Sequence, residues 1–199
     1  MSIRARAVCS VAVAILALLA VAPLAMAQKA ADEDQKDQVF EAIMFSVDSR
    51  YPNASGIAKI ILPSPRWWPL NRFMYVRVEV EGLPPNVVDN FIHIHNVRVD
   101  AQGVTNLGCF AGGPVIISLN ALRTDANGKA VSVTRVVLNE DGSIFQDAAG
   151  RSNAALVNRA GLTRWYVQYH IPAGFDGAGS PAACGEITLS GFDRGAPFR

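Results

Sequence analysis

The chain has 199 residues, with 18 basic and 17 acidic side chains, three histidines and a formal net charge of +1. That near-neutral balance supplies no basic field of the kind that binds nucleic acid or an anionic membrane surface. Hydrophobic residues make up 50% of the chain, which is enough for one domain with a sizeable core.

Arg4 and Arg6 precede an apolar run from Val11 to Leu24, and Ala25-Met26-Ala27 follows it. A positive start, an apolar middle and a small-x-small end read as a secretory signal peptide over Met1–Ala27. The run is at the short end of what spans a bilayer, and the cleavage pattern favours removal over a retained anchor. The two arginines are not adjacent, which argues against a twin-arginine route. Cleavage removes Cys9, and loss of Arg4 and Arg6 takes the net charge to about −1. The mature protein is therefore expected to be periplasmic or secreted, without a transmembrane anchor. Residues 28–37 are polar and read as a flexible leader, with residues 38–199 as one domain.

Beyond the leader the chain alternates short apolar-rich runs with turn chemistry. The expected strands are Val39–Val47, Gly56–Leu62, Phe73–Glu81, Asn90–Val99, Val115–Leu119, Ala130–Leu138, Arg164–Ile171 and Gly185–Ser190. Pro63-Ser64-Pro65, Gly82-Leu83-Pro84-Pro85, Asp125-Ala126-Asn127-Gly128 and Asp141-Gly142 supply the breaks. Asn53-Ala54-Ser55 has glycosylation spacing but reads as a turn. Trp67-Trp68, set between prolines, reads either as an exposed aromatic binding patch or, the favoured reading, as a loop packed over one end of the fold. Ser152–Arg159 is expected to be a short helix capped by Ser152. Asp89, Asp100, Asp125 and Asp176 fall in expected turns and read as solvated carboxylates. About eight short strands without long helices imply an all-β sandwich or barrel.

Two cysteines survive cleavage, Cys109 and Cys184. In an exported protein such a pair is expected to form a disulfide. The alternative, two thiolate metal ligands, has no close cysteine spacing behind it.

The three histidines are His93, His95 and His170. In Phe91-Ile92-His93-Ile94-His95, strand alternation sends both imidazoles to one face and Ile92 and Ile94 to the other. In Tyr166-Val167-Gln168-Tyr169-His170 the same period puts Tyr166, Gln168 and His170 together, opposite Val167 and Tyr169. Should the two strands approach each other, three imidazoles converge on a set that suits copper and, less distinctively, zinc. An isolated His-x-His is a weak signal, and each ring could instead hydrogen-bond at the rim of the fold. The chain has no Gly-x-Ser-x-Gly elbow, no phosphate-cradling glycine loop and no His-Glu-x-x-His.

Taken in order, several short pieces resemble the copper/zinc superoxide dismutase superfamily. Glu81-Gly82-Leu83-Pro84-Pro85 followed by Phe91–His95 resembles the approach to that family's His-x-His copper ligands. Gly108-Cys109 with Ala111-Gly112-Gly113-Pro114 resembles its first disulfide cysteine and Gly-Pro. Thr124–Ala130 resembles its hairpin turn after the metal loop. Tyr166–His170 resembles the strand bearing a further copper-ligand histidine, and Ala183-Cys184-Gly185-Glu186-Ile187 resembles its second disulfide cysteine. The resemblance implies a Greek-key, immunoglobulin-like β-sandwich of about eight antiparallel strands with a Cys109–Cys184 bond. It also implies copper ligated by His93, His95 and His170, with superoxide or another small oxidant as partner.

The departures are specific. Val115 stands where the family has its bridging histidine. Leu119-Asn120-Ala121-Leu122 runs almost directly into the turn where the zinc subloop would be, so no zinc site is implied. Ser180-Pro181-Ala182 offers no counterpart to the family's anion-guiding arginine, and Arg98 and Arg164 are near the histidines in sequence only. Gly113-Pro114-Val115-Ile116-Ile117 and Gly185-Glu186-Ile187 also resemble the CHRD domain, which implies a non-catalytic binding or structural module of the cell envelope. A copper chaperone or storage role is the third expectation, although the methionine-rich stretches common in such proteins are absent.

Overall fold

The computed structural model of the chain describes residues 36–64, 72–88, 91–96, 98–99, 105–106, 108–109, 112–171 and 179–193. The expected signal peptide and most of the expected leader lie outside them, as do Trp67-Trp68, Asp89, Asp100 and Asp176. No helix among the described residues is long and apolar enough to cross a membrane.

The fold is all-β. Its strands are β1 (Asp37–Ser46), β2 (Ser55–Leu62), β3 (Phe73–Glu81), β4 (Phe91–His95), β5 (Arg98–Val99), β6 (Thr105–Asn106) and β7 (Val115–Ser118). They continue with β8 (Ala130–Leu138), β9 (Ser143–Gln146), β10 (Asn153–Leu156), β11 (Tyr166–His170), β12 (Pro181–Glu186) and β13 (Thr188–Asp193). One short helix, α1, spans Arg159–Leu162. β5 and β6 form a separate ribbon, and the other strands make one antiparallel sheet in the order β10-β9-β8-β3-β2-β1-β12-β11-β4-β7, with β13 also on β1.

β1 to β3 form a meander. The chain then crosses to the far side of β1 to place β4, and returns to lay β8 beside β3, a crossover of the Greek-key kind. The expected sandwich is thus realised as one sheet wound around one core and nearly closed on itself. At the seam, Ala148 N–H donates to the Ser118 carbonyl of β7 at 3.1 Å, and Ser118 N–H donates to Asp147 Oδ2 at 2.8 Å.

β3 and β8 follow the expected bounds because their alternation is clean: each inward residue from Met74 to Val80 is buried, and the β8 pattern alternates from Ala130 to Leu138. Other elements differ from expectation. Asn90–Val99 is not one strand, since β4 ends at His95 and Arg98–Val99 pairs with β6. The last expected strand is broken at Ile187, which turns into the core between β12 and β13.

Ser152–Arg159 is not a helix. Asn153–Leu156 pairs with β9 at the sheet edge, so tertiary pairing overrides the helical preference of Ala154-Ala155-Leu156. The helix starts later, where the Asn158 side chain accepts from Gly161 N–H at 2.8 Å, so Asn158, not Ser152, is the cap.

The turns behave as their chemistry dictates. Asp125 Oδ1 accepts from the N–H groups of Asn127 and Lys129 at 2.8 and 2.9 Å, and this loop carboxylate is exposed as expected. Gly128 has φ +73°, and a Cβ there would lie 2.0 Å from the Leu83 carbonyl oxygen, so only glycine fits. Ala54 N–H closes its turn on the Tyr51 carbonyl at 2.9 Å. The Leu119–Leu122 link is short and packed, with Leu119 and Leu122 in the core. Asn120 bonds across β8, accepting from Ser132 Oγ at 3.1 Å and donating to Thr134 Oγ1 at 2.7 Å.

Candidate metal centre

The site is built on the face of the sheet opposite the core where β4, β11 and β12 lie side by side. Ile92, Ile94, Val167 and Tyr169 point inward and are fully buried. Their neighbours therefore point outward, and the register decides which meet. His95 stands opposite Tyr166, His93 opposite Gln168, and Phe91 opposite His170. Gln168 in turn stands opposite Cys184.

His170 is thus diagonal to His93, within reach of a long side chain. Ring centroids are 5.7 Å apart for His93–His95, 5.4 Å for His93–His170 and 5.7 Å for His95–His170. One ring nitrogen from each histidine lies within 4.8 Å of the others. Nitrogens bound at about 2.0–2.1 Å from one ion sit about 3–4 Å apart, so small side-chain rotations complete a three-imidazole site.

The tautomers are set by the backbone. His95 Nδ1 lies 2.9 Å from the Gly113 carbonyl oxygen, and His170 Nδ1 lies 3.0 Å from that of Gly179. A carbonyl only accepts, so each Nδ1 carries the proton and each Nε2 presents a bare lone pair. Both Nε2 atoms are buried without a hydrogen-bond partner. An orphaned buried acceptor costs about 1–3 kcal/mol, and a metal ion would satisfy two at once.

Tyr166 supports this arrangement twice. Its ring stacks on His95 at 5.2 Å and 11°, and its hydroxyl accepts from Gly113 N–H at 2.9 Å. The same residue thus orients the imidazole and the peptide that holds its tautomer. Phe91 stacks on His93 at 6.3 Å and is half exposed, which makes it an apolar lip.

The disulfide joins Cys109 to Cys184, as expected from the cysteine pair. It packs against Tyr166, and Gln168 Nε2 donates to the Cys109 carbonyl at 3.4 Å. The bond therefore pins the chain near Cys109 onto the histidine face. A disulfide of this kind points to a non-cytoplasmic location.

All three imidazoles are held below the ordinary histidine range. Burial pushes His93 down to about 4, helped by the His170 and His95 rings and the Arg151 charge, with Asp147 opposing. Burial also lowers His95 and His170, against the backbone bonds that favour their charged forms. They are therefore neutral near pH 7, as metal binding requires.

The folded protein binds fewer protons here than the unfolded chain. The stabilisation is complete above about pH 6.5 and is lost as pH falls towards 4. We expect the urea midpoint of metal-free protein to drop across that window, and the drop to shrink in His93→Gln. A midpoint flat from pH 6.5 to 4 would contradict the burial of these rings.

Sequence reasoning located the three histidines and both cysteines but missed the groups that set them. The Gly113 and Gly179 carbonyls, Tyr166, Asp147 and Arg151 carry no signal of their own at the level of spacing. Of the arginines near the histidines in sequence, Arg164 is exposed in the turn that precedes β11, and the Arg98 side chain lies outside what the structure describes. Among the described residues, Arg151 bonds Ser118, the cross-strand neighbour of His93, and its charge is felt at that ring. Among known proteins, no family model and no curated entry matches the chain.

Proposed function

We propose that this is an exported superoxide dismutase-like protein that binds one copper ion through His93, His95 and His170, with superoxide as its candidate substrate. The reading is carried by two buried, bare Nε2 atoms converging with a third neutral imidazole. Three imidazoles without a thiolate or carboxylate suit copper better than the sets typical of structural zinc. When bound, copper supplies one-electron redox chemistry. The protein's own residues do the rest: Gly113 and Gly179 hold the tautomers, Tyr166 fixes His95, and the disulfide packs against Tyr166. The disulfide and the expected signal peptide support a periplasmic or secreted location.

The test is electron paramagnetic resonance of mature, disulfide-intact protein after one equivalent of copper(II), followed by a superoxide assay. We expect a single type-2 signal with nitrogen splittings from three imidazoles, and superoxide consumption above that of the metal-free protein. A signal from adventitious copper alone would overturn the reading. A proper copper signal without superoxide consumption would keep the site and remove the substrate.

A further inference from the structure

Gln168 stands in the middle of the histidine face. The outward pairs on β4 and β11 are His95 with Tyr166, His93 with Gln168, and Phe91 with His170. Each pair lies about 7 Å from the next along the strands. His95 and His170 therefore start two rows apart, yet their ring centroids come within 5.7 Å. Both rings lean over the middle row, where the His93 ring meets them. The three imidazoles thus gather above the pair His93 and Gln168. On its other side, across β12, Gln168 is flanked by Cys184.

The Gln168 side chain is 5% exposed, and an amide buried to that degree is expected to be fully partnered. Its Nε2 donates one long bond, of 3.4 Å, to the Cys109 carbonyl. A carbonyl only accepts, so this contact fixes which end of the amide is nitrogen. Cys109 is tied to Cys184 on the β12 side, so the nitrogen is drawn away from β4 and the oxygen is left on the side of the histidines. Oε1 accepts no hydrogen bond from the described residues. The bare Nε2 atoms of His95 and His170 are acceptors too and cannot donate to it. A cation is what an acceptor buried among acceptors lacks.

We infer that Gln168 Oε1 is a fourth, axial ligand to the copper ion held by His93, His95 and His170. The inference rests on the metal reading above and deepens it by naming the group that biases the ion's oxidation state. An amide carbonyl is a hard donor, whereas soft sulfur ligands select copper(I). Gln168 therefore favours copper(II) and holds the reduction potential of the site down.

The test uses mature, disulfide-intact protein loaded with one equivalent of copper, with the potential measured by redox titration and both copper affinities by chelator competition. Gln168→Leu is expected to weaken copper(II) about tenfold, the lower end of what a supporting group contributes, and to leave copper(I) affinity unchanged. For a one-electron couple that raises the potential by about 59 mV. The nitrogen splittings of the copper(II) signal are expected to stay, because the three imidazoles remain. Gln168→Glu keeps an oxygen donor and adds charge, so its potential is expected to fall below wild type. That sign separates a ligand from a brace, since both variants lose the bond to Cys109 alike. A potential in Q168L equal to wild type, with the nitrogen splittings intact, overturns the fourth ligand. So does a shift of Q168L and Q168E in the same direction, which leaves Gln168 as a brace on the disulfide segment. Should Q168L not fold, an unchanged potential in Gln168→Met, which keeps the length but offers a soft sulfur, overturns it instead. A wild-type protein without the three-imidazole copper signal overturns the metal reading, and the fourth ligand with it.

Discussion

His170→Ala is expected to lower copper(II) affinity at least about a hundredfold, measured by competition with a chelator of known strength. Loss of a group that merely orients a ligand costs about 10–100-fold in metal affinity, and His170 is proposed as a ligand itself. The variant would leave only His93 and His95, which sit two residues apart on β4. The fold should tolerate the change. Alanine removes the bond from His170 Nδ1 to the Gly179 carbonyl, but it also removes a buried Nε2 without a partner. Those terms oppose each other at about 1 kcal/mol each, so the urea midpoint of metal-free protein should move little. Unchanged copper affinity in a folded His170→Ala protein would refute the three-ligand site.

Replacing both Cys109 and Cys184 with serine is expected to cost roughly 4–5 kcal/mol of stability. The bond closes a loop with a sequence separation of 75, and loop-closure entropy sets that scale. A domain of this size has a total stability of about 5–15 kcal/mol, so the variant should be marginal at 37 °C. Metal affinity should fall too. Gly113, which bonds both His95 and Tyr166, follows Cys109 closely in the chain. Loosening that segment loosens the His95 tautomer, an effect worth about tenfold or more in affinity. Urea denaturation with and without reductant checks the first claim, and chelator competition on the folded fraction checks the second. A midpoint that reduction does not move would show that the cross-link contributes nothing to this fold.

Strand alternation was legible where one face meets the core without interruption. Phe73–Glu81 and Ala130–Leu138 are such cases, and turn residues mark both of their ends. It was not legible at Ser143–Gln146, whose burial runs as two inward residues followed by two exposed ones. Nor was it legible at Asn153–Leu156, where half-buried and exposed positions alternate at a sheet edge. An edge strand takes its identity from its partner, and the partner is remote in sequence or separated by a turn. Local preference at Ala154-Ala155-Leu156 pointed to helix, and pairing with β9 won.

At the candidate site, strand alternation put His93 and His95 on one face and His170 on the polar face of its own strand, and the cysteine count left Cys109 and Cys184 as the pair if the expected signal peptide takes Cys9 with it. Those follow from a period of two and from a count. Strand order in the folded sheet made β4 and β11 neighbours, with His170 diagonal to His93. The tertiary structure also decided which backbone carbonyls fix the His95 and His170 tautomers, and that Arg151, clasped by Asp147, stands beside the cluster. The physical reason is that these contacts join segments through strand order and loop closure. Neither leaves a periodic trace in the chain, whereas the direction in which a side chain leaves a strand does.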